Sequence, residues 1–110
     1  MIVATTENIA GYRVRETLGE CFGVVVRSRG IGFNMLAGLR SIFGGEIPEY
    51  TQLIETARQH AIDRLKQAAQ DMGGNAVIMM RFDSSEMAQM MSEIVAYGTA
   101  VYIEPLIQEA

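Results

Sequence analysis

The sulfur-bearing side chains carry the most specific chemistry in this 110-residue chain. Met87, Met90 and Met91 form a Met-x-x-Met-Met cluster, and Cys21 is the one thiol. Thioethers and thiolates prefer soft ions such as Cu(I), so these four residues are the candidate ligands of a heavy-metal site. Methionine also fills irregular gaps in cores and interfaces, and a cysteine in an apolar strand is commonly a small buried hydrophobe, so packing is the alternative interpretation.

The sequence supports no catalytic assignment. A nucleophilic Cys21 would need a base within hydrogen-bond reach, and the one histidine, His60, lies among polar positions of a predicted helix, where we expect it to be solvated. Gly30-Ile31-Gly32 is followed by Met35 where a dinucleotide-binding fingerprint has its third glycine. Gly44-Gly45 lacks the Lys-Ser/Thr pair of a phosphate loop, so turns are the better interpretation of both glycine pairs.

Two arginines stand alone in apolar surroundings. Arg81 is the one charged residue of the strand predicted over 76–82, and Arg40 is the one charged residue between 31 and 45. We expect Arg81 to pair with a carboxylate, from Asp83, Glu16 or another subunit, although an anionic ligand would serve equally. The candidates for an interface or for a ligand pocket between subunits are Arg40, Gly44, Gly45, Arg81 and Tyr97.

Composition limits the class of protein. Nine basic and thirteen acidic residues give a net charge of −4, which argues against binding nucleic acid or an anionic membrane. A single cysteine excludes an intrachain disulfide, and no apolar run approaches the roughly 20 residues of a membrane helix. The N-terminus lacks the charged-then-apolar pattern of a signal peptide. These features predict one cytoplasmic domain over residues 1–110.

The order of apolar patterns predicts an α+β fold of the form β-β-short helix-α-β-β. One long helix, from Pro48 to about Met72 and ended by Gly73-Gly74-Asn75, is expected to pack on a small antiparallel sheet of about four strands. Residues 31–43 are expected to form one or two further helical turns, and 86–93 a methionine-rich connector. The four predicted strands are 12–18, 21–27, 76–82 and 94–103, with a hairpin turn at Gly19-Glu20, and they follow a short apolar run over residues 1–6.

The last predicted strand is apolar on both of its faces. Val95, Tyr97 and Val101 alternate with Ile94, Ala96 and Ala100, whereas a strand with one solvated face should alternate apolar with polar residues. A single helix covers one face of such a sheet. The simplest cover for the other face is a second copy of the chain.

Several motifs together resemble the YbjQ-like family over nearly the whole chain. They are residues 37–45 (AGLRSIFGG), Gly74-Asn75-Ala76-Val77, Tyr97-Gly98-Thr99-Ala100-Val101, Thr5-Thr6 and Gly23-Val24-Val25. The resemblance implies a bacterial or archaeal α+β subunit that assembles as a ring-like homopentamer. The family is labelled heavy-metal-binding and has no established enzymatic activity, but the label brings no ligand motif that maps onto this chain. The chain departs from the family pattern at Ser41, at Gly74 and at Ile78-Met79.

Residues and resemblance together predict a non-enzymatic cytoplasmic homo-oligomer, a pentamer by resemblance, that binds a heavy metal ion or a small ligand. No cofactor other than a soft or heavy metal ion is expected. Two alternatives stay open. One is an enzyme whose site forms between subunits from Arg40, Arg81, Tyr97 or nearby carboxylates, and the other is a structural or protein-interaction module that uses the adaptable methionine cluster.

Overall fold

The structure is a computed structural model that describes residues 1–28, 48–88 and 91–106. The described elements are β1 (Ile2–Val3), β2 (Tyr12–Ser28), α1 (Pro48–Asp71), β3 (Ala76–Ala88) and β4 (Met91–Pro105). The sheet order is β1-β3-β4-β2. The short helix predicted within 31–43, together with Arg40, Gly44 and Gly45, lies outside the described residues.

The predicted α+β class, with one long helix on a four-stranded sheet, is confirmed. The sheet is mixed rather than antiparallel, which corrects the prediction. β3 and β2 both run antiparallel to β4, but β1 pairs in parallel with β3 through Ile2↔Ala76 and Val3↔Val77. The parallel pair is possible because β1 and β3 are distant in sequence, so no hairpin turn fixes their relative direction.

The predicted hairpin at Gly19-Glu20 is wrong. Residues 12–28 form one continuous strand, which pairs with β4 from Tyr12↔Pro105 to Ser28↔Met91. Gly19 has a φ of +125° and lies at a register shift between Thr17 and Gly19. The glycine therefore supplies a bulge within a long strand instead of a turn between two short ones.

The β3–β4 hairpin is longer than the sequence pattern indicates. Both strands continue into the predicted connector, with Glu86 paired to Ser92 and Ala88 to Met91. The polar run Asp83-Ser84-Ser85 stays in the strand because β4 satisfies its backbone while its side chains are exposed. Met87 and Met91 consequently lie within strands, at one end of the hairpin.

Helix α1 ends one residue before the predicted position and packs on one face of the sheet. Its buried stripe repeats every fourth residue, at Ala57, Ala61, Leu65 and Ala69. These residues pack against the β2, β3 and β4 side chains Cys21, Val25, Val77, Met80, Ala96 and Ala100. Gly73, with a φ of +90°, ends the helix by donating its N–H to the Gln70 carbonyl at 2.9 Å.

A smaller core lies on the opposite face, near the N-terminus. Ala76, Val101 and Ile103 are buried there against the partly buried Ile9 and Ile78. The segment after β1 therefore covers this part of the sheet. In the described ranges, no helix has the length and apolar character needed to cross a bilayer.

Candidate functional site

The sheet face turned away from α1 carries an exposed apolar surface. Cross-strand partners in an antiparallel pair share a face, so the pairs Phe22↔Tyr97 and Val24↔Val95 lie on this second face, opposite the buried Ala96. The exposed fractions are 52% for Phe22, 39% for Val24, 45% for Val26 and 39% for Tyr97. The face that the apolar pattern of β4 predicted is thus present, and α1 does not cover it.

The second face is divided by strand into an apolar and a polar stripe. The apolar stripe is Phe22, Val24 and Val26 on β2, and the polar stripe is Arg81, Asp83 and Ser85 on β3. The register joins them through β4 in three rows: Arg81–Tyr97–Phe22, Asp83–Val95–Val24 and Ser85–Glu93–Val26. Sequence reasoning named Arg81 and Tyr97, and the structure brings these two together as direct cross-strand neighbours.

A bulge in β3 precedes Arg81. The pairing passes from Ile78↔Thr99 to Arg81↔Tyr97, so Met79 and Met80 stand opposite the single residue Gly98. Met79 has a φ of +56°, which is the left-handed conformation that residues other than glycine rarely adopt. The N-terminal segment binds the amides of the bulge: Met79 N–H donates to the Thr6 carbonyl at 3.1 Å, and Met80 N–H to the Ala4 carbonyl at 3.0 Å.

Arg81 is held by backbone oxygens in the part of the chain that the structure describes. Its Nη1 donates to the carbonyls of Thr5 and Met80, both at 2.8 Å. Over residues 1–28, 48–88 and 91–106 the ion pair is Arg13–Glu104, so the carboxylate partner expected for Arg81 is not found within the described chain. The Oδ1 of Asp83 instead accepts the Ser84 N–H at 2.9 Å.

Cys21 lies in the core beneath α1. Its side chain is buried, and its thiol donates to the Gly98 carbonyl at a Sγ–O distance of 3.7 Å. Burial raises the pKa of the Cys21 thiol above its ordinary value of 9.0, because the thiolate would lose its solvation. The thiol is therefore protonated at neutral pH, whereas metal ligation and nucleophilic attack need the thiolate. His60 is exposed on α1, as expected.

The predicted sulfur ligands Cys21 and Met91 lie far apart in one chain. Cys21 precedes Ser28 by seven residues on β2, and Ser28 pairs with Met91, which separates Cys21 from Met91 by about 23 Å along the strand. Met87 and Met91 share the far end of the β3–β4 hairpin, and Met90 lies outside the described residues. Within the described ranges, no group of three or more His, Cys, Asp or Glu side chains is arranged to hold a metal ion.

Two features of the site were missed by sequence reasoning. Phe22, Val24 and Val26 were assigned to a strand but not to a site, although their alternation with Cys21, Gly23 and Val25 was a usable signal. The bulge at Met79-Met80 has no such signal, because methionine is not a residue type that favours the left-handed conformation.

Comparison with known proteins places this fold among close relatives. Residues 1–104 match the profile of the YbjQ family, which is described as "Putative heavy-metal-binding". A UPF0145 protein of Bradyrhizobium sp. (strain ORS 278) is 69% identical over 105 residues, which cover 96% of this chain and 95% of that protein. A UPF0145 protein of Methanocella arvoryzae is 53% identical over 105 residues, which cover 96% of this chain and 88% of that protein.

The fold is similar to that of a solved structure. It is the crystal structure of a protein of unknown function from Pediococcus pentosaceus, described as a member of the DUF74 family. The two chains superpose with a TM-score of 0.61 at 17% identity, over 94% of this chain and 98% of the other. At that identity the likeness shows a shared fold.

Proposed function

The chain belongs to the YbjQ family, and from this premise we propose that it is a non-enzymatic, cytoplasmic homo-oligomer that binds a heavy metal ion or a small ligand. The proposed assembly is a ring-like pentamer. The observation that carries the assembly is the exposed apolar stripe of Phe22, Val24 and Val26 on the second face.

The overall shape of the chain supports self-association. The radius of gyration is 18.1 Å and the principal-axis extents are 63 × 26 × 15 Å. A compact chain of 110 residues would have a radius of gyration of about 13 Å. The chain is thus extended along its strands, and a second copy seated on the apolar stripe would bury surface that an isolated chain leaves in water.

Light scattering after size-exclusion chromatography tests the assembly. A pentamer of the 12.1-kDa chain has a mass of about 60 kDa. Val24→Asp, which places a charge in the apolar stripe, should shift the mass towards that of the monomer. Ile54→Asp is the matched control, because Ile54 lies on α1, away from the second face, and is also an exposed apolar residue, with an exposed fraction of 43%. A wild-type mass of 12.1 kDa would refute the assembly.

The metal part of the proposal concerns the Met-x-x-Met-Met cluster of residues 87–91. Soft ions suit the thioethers of Met87, Met90 and Met91, and a homo-oligomer would repeat this cluster in every copy. Cys21 does not fit the same site, because its thiol is buried and about 23 Å away along β2. The family description is the second support for a metal.

Thermal unfolding with Cu(I), Zn(II), Cd(II) and Ni(II) tests the metal. A saturating ligand at about 100 times its Kd stabilises by about 2.7 kcal/mol per site, which raises Tm by several degrees in a domain of this size. Replacing Met87, Met90 and Met91 by leucine should abolish a Cu(I) shift while keeping side-chain volume. Cys21→Ser should leave the shift in place. A shift that follows Cys21 and not the methionines would contradict the assignment.

A further inference from the structure

We propose that Arg81 and Tyr97 form a binding site for a small carboxylate whose body is flat and apolar, at the edge of the apolar stripe. This inference rests on the proposed small-ligand function and names the ligand class. It concerns the first of the three rows on the second face, in which the register places a guanidinium, a phenol and a phenyl ring side by side.

The bulge in β3 is what brings Arg81 to this face. Ile78 lies on the second face with Thr99, and side chains alternate along a strand, so a regular β3 would turn Arg81 towards α1. The extra residue at Met79-Met80 restores Arg81 to the second face beside Tyr97 and keeps Met80 buried. A left-handed methionine is costly, and such strain is commonly found where a side chain is positioned for function.

Among the described residues, the guanidinium of Arg81 is oriented through one nitrogen and keeps its other donors for a ligand. Both described acceptors, the carbonyls of Thr5 and Met80, bind the same nitrogen, Nη1. Within the described chain, no acceptor is bonded to Nε or Nη2, and Arg81 is exposed. An arginine fork held in this way is suited to a planar carboxylate, because two parallel N–H···O bonds match its geometry.

The rest of the row defines the body of the ligand. Tyr97 lies directly across from Arg81, and Phe22 directly across from Tyr97, with neighbouring strands about 4.8 Å apart. A ligand whose carboxylate meets Arg81 would therefore lay its body over the exposed ring of Tyr97, between Arg81 and the apolar stripe that a second copy covers. Aromatic groups stack well on such rings, so an aromatic carboxylate fits the row better than a short polar acid.

The charge around Arg81 favours a monoanion. Asp83 lies two residues further along β3 on the same face, and its carboxylate would repel a doubly charged phosphate more strongly than a carboxylate. An Asp or Glu side chain of a second copy would also offer a carboxylate to Arg81. Unlike an aromatic carboxylate ligand, it has no aromatic ring attached that could stack on Tyr97. The structure thus favours a small aromatic carboxylate as the occupant.

Isothermal titration of the full chain tests the site at constant ionic strength. The probes are benzoate, its neutral isostere benzamide, and inorganic phosphate. We expect saturable binding of benzoate, at least tenfold weaker binding of benzamide, and no comparable binding of phosphate. Arg81→Gln should weaken benzoate binding by tenfold or more, because it removes a charged pair of hydrogen bonds. Tyr97→Phe, which keeps the ring, should weaken it less.

Arg15→Gln is the matched control, because Arg15 also lies beside a tyrosine, with its guanidinium carbon 5.8 Å from the centre of the Tyr102 ring. This variant should bind benzoate like the wild type. Arg81→Lys serves if Arg81→Gln fails to fold, because it keeps the charge and loses the fork. Light scattering on each variant reports the assembly separately from ligand binding.

Four results would overturn the site. They are no saturable benzoate binding, equal binding of benzoate and benzamide, equal losses in the Arg81 and Arg15 variants, and tighter binding of phosphate than of benzoate. If Arg81→Gln dissociates the oligomer while the wild type does not bind benzoate, Arg81 pairs with an acidic side chain of a second copy. In that case the assembly stands and the ligand site falls.

Discussion

At the start of β3, the side-chain amide of Asn75 makes the same two hydrogen bonds to a neighbouring strand residue that a backbone N–H and C=O would make. Its Nδ2 donates to the Ile103 carbonyl at 2.9 Å, and its Oδ1 accepts the Ile103 N–H at 2.7 Å. Its own backbone N–H donates to the Val101 carbonyl at 3.0 Å. The Gly74-Asn75-Ala76-Val77 motif that carried the family resemblance therefore has a structural role, which is to close the sheet beside the smaller core.

Asn75→Asp should destabilise the protein by about 1–3 kcal/mol, because a carboxylate keeps the acceptor but turns a lone pair towards the Ile103 carbonyl. Asn8→Asp makes the same chemical change at an exposed position and should cost less than about 0.5 kcal/mol. Urea unfolding at pH 7 and fixed protein concentration measures both. Equal losses in the two variants would show that the Asn75 amide contributes nothing specific.

The buried thiol of Cys21 makes stability depend on pH in the alkaline range. Burial raises its pKa in the folded chain above the ordinary value of 9.0, so the unfolded chain loses this proton first as pH rises. The contribution is fully present below pH 9 and is lost as pH rises from there to the folded pKa, by at most about 1.4 kcal/mol per pH unit.

Comparing wild type with Cys21→Ala tests this linkage. The variant should be less stable at pH 7 by about 1 kcal/mol, because it leaves a small cavity, and the difference should shrink between pH 8.5 and 10. Other titrating groups are common to both proteins and cancel. Parallel pH profiles for the two proteins would mean that the thiol titrates alike in the folded and unfolded chains.

At the scale of elements, Gly23 sets the distance between α1 and the sheet. A Cβ built on Gly23 would lie 2.0 Å from the Ala61 carbonyl oxygen and 2.5 Å from the Leu65 nitrogen. Both atoms belong to the helix backbone, so a side chain at residue 23 would have to displace the whole helix. The small residues Ala57, Ala61 and Ala69 on the buried stripe permit the same close approach from the helix side.

Gly23→Ala should therefore destabilise the chain by about 3 kcal/mol, the upper end of the range for overpacking in a core. Gly73→Ala is the comparison, because residue 73 has a φ of +90° but no atom within 4 Å of a Cβ. There the cost is left-handed strain alone, about 1–2 kcal/mol. Thermal or urea unfolding measures the difference. A smaller loss for Gly23→Ala than for Gly73→Ala would contradict the close packing of α1.

The elements that were predicted correctly are those with local signals. Helix α1 has a repeating apolar stripe and a Gly-Gly-Asn stop, so its bounds follow from residues close in sequence. Nearby residues do not decide whether Gly19 lies in a turn or in a bulge, because a glycine between two strand-like runs is compatible with both. Pairing with β4, some 80 residues away, decides for the bulge.

For the candidate site as well, the residues could be named from the sequence, but their placement beside each other depends on long-range strand pairing. Arg81 and Tyr97 were identified by residue type, because a lone cation and an aromatic residue stand out in apolar strands. Their juxtaposition depends on the register of β3 against β4, and that register depends on the bulge at Met79-Met80. The carboxylate expected beside Arg81 is replaced by the Thr5 carbonyl, because the N-terminal segment wraps around the bulge.

At the scale of the whole molecule, the sheet accounts for the proposed assembly. α1 covers one face, the segment around Ile9 covers part of the other, and the apolar stripe continues beyond that cover. A family member whose strands extend this far beyond its cores is expected to complete its hydrophobic surface with further copies of itself. The central claim is therefore that Val24 is buried in solution.

Thiol protection measures that burial most directly. Val24→Cys and, as control on α1, Ile54→Cys are each made in a Cys21→Ala background, so that each chain carries one thiol. Under conditions that preserve the assembly, the thiol at position 24 should react with Ellman's reagent at least about tenfold more slowly than the thiol at position 54. The difference should vanish in urea. Equal, fast reaction at both positions in the native protein would show that the second face is open to solvent and would contradict the proposed assembly.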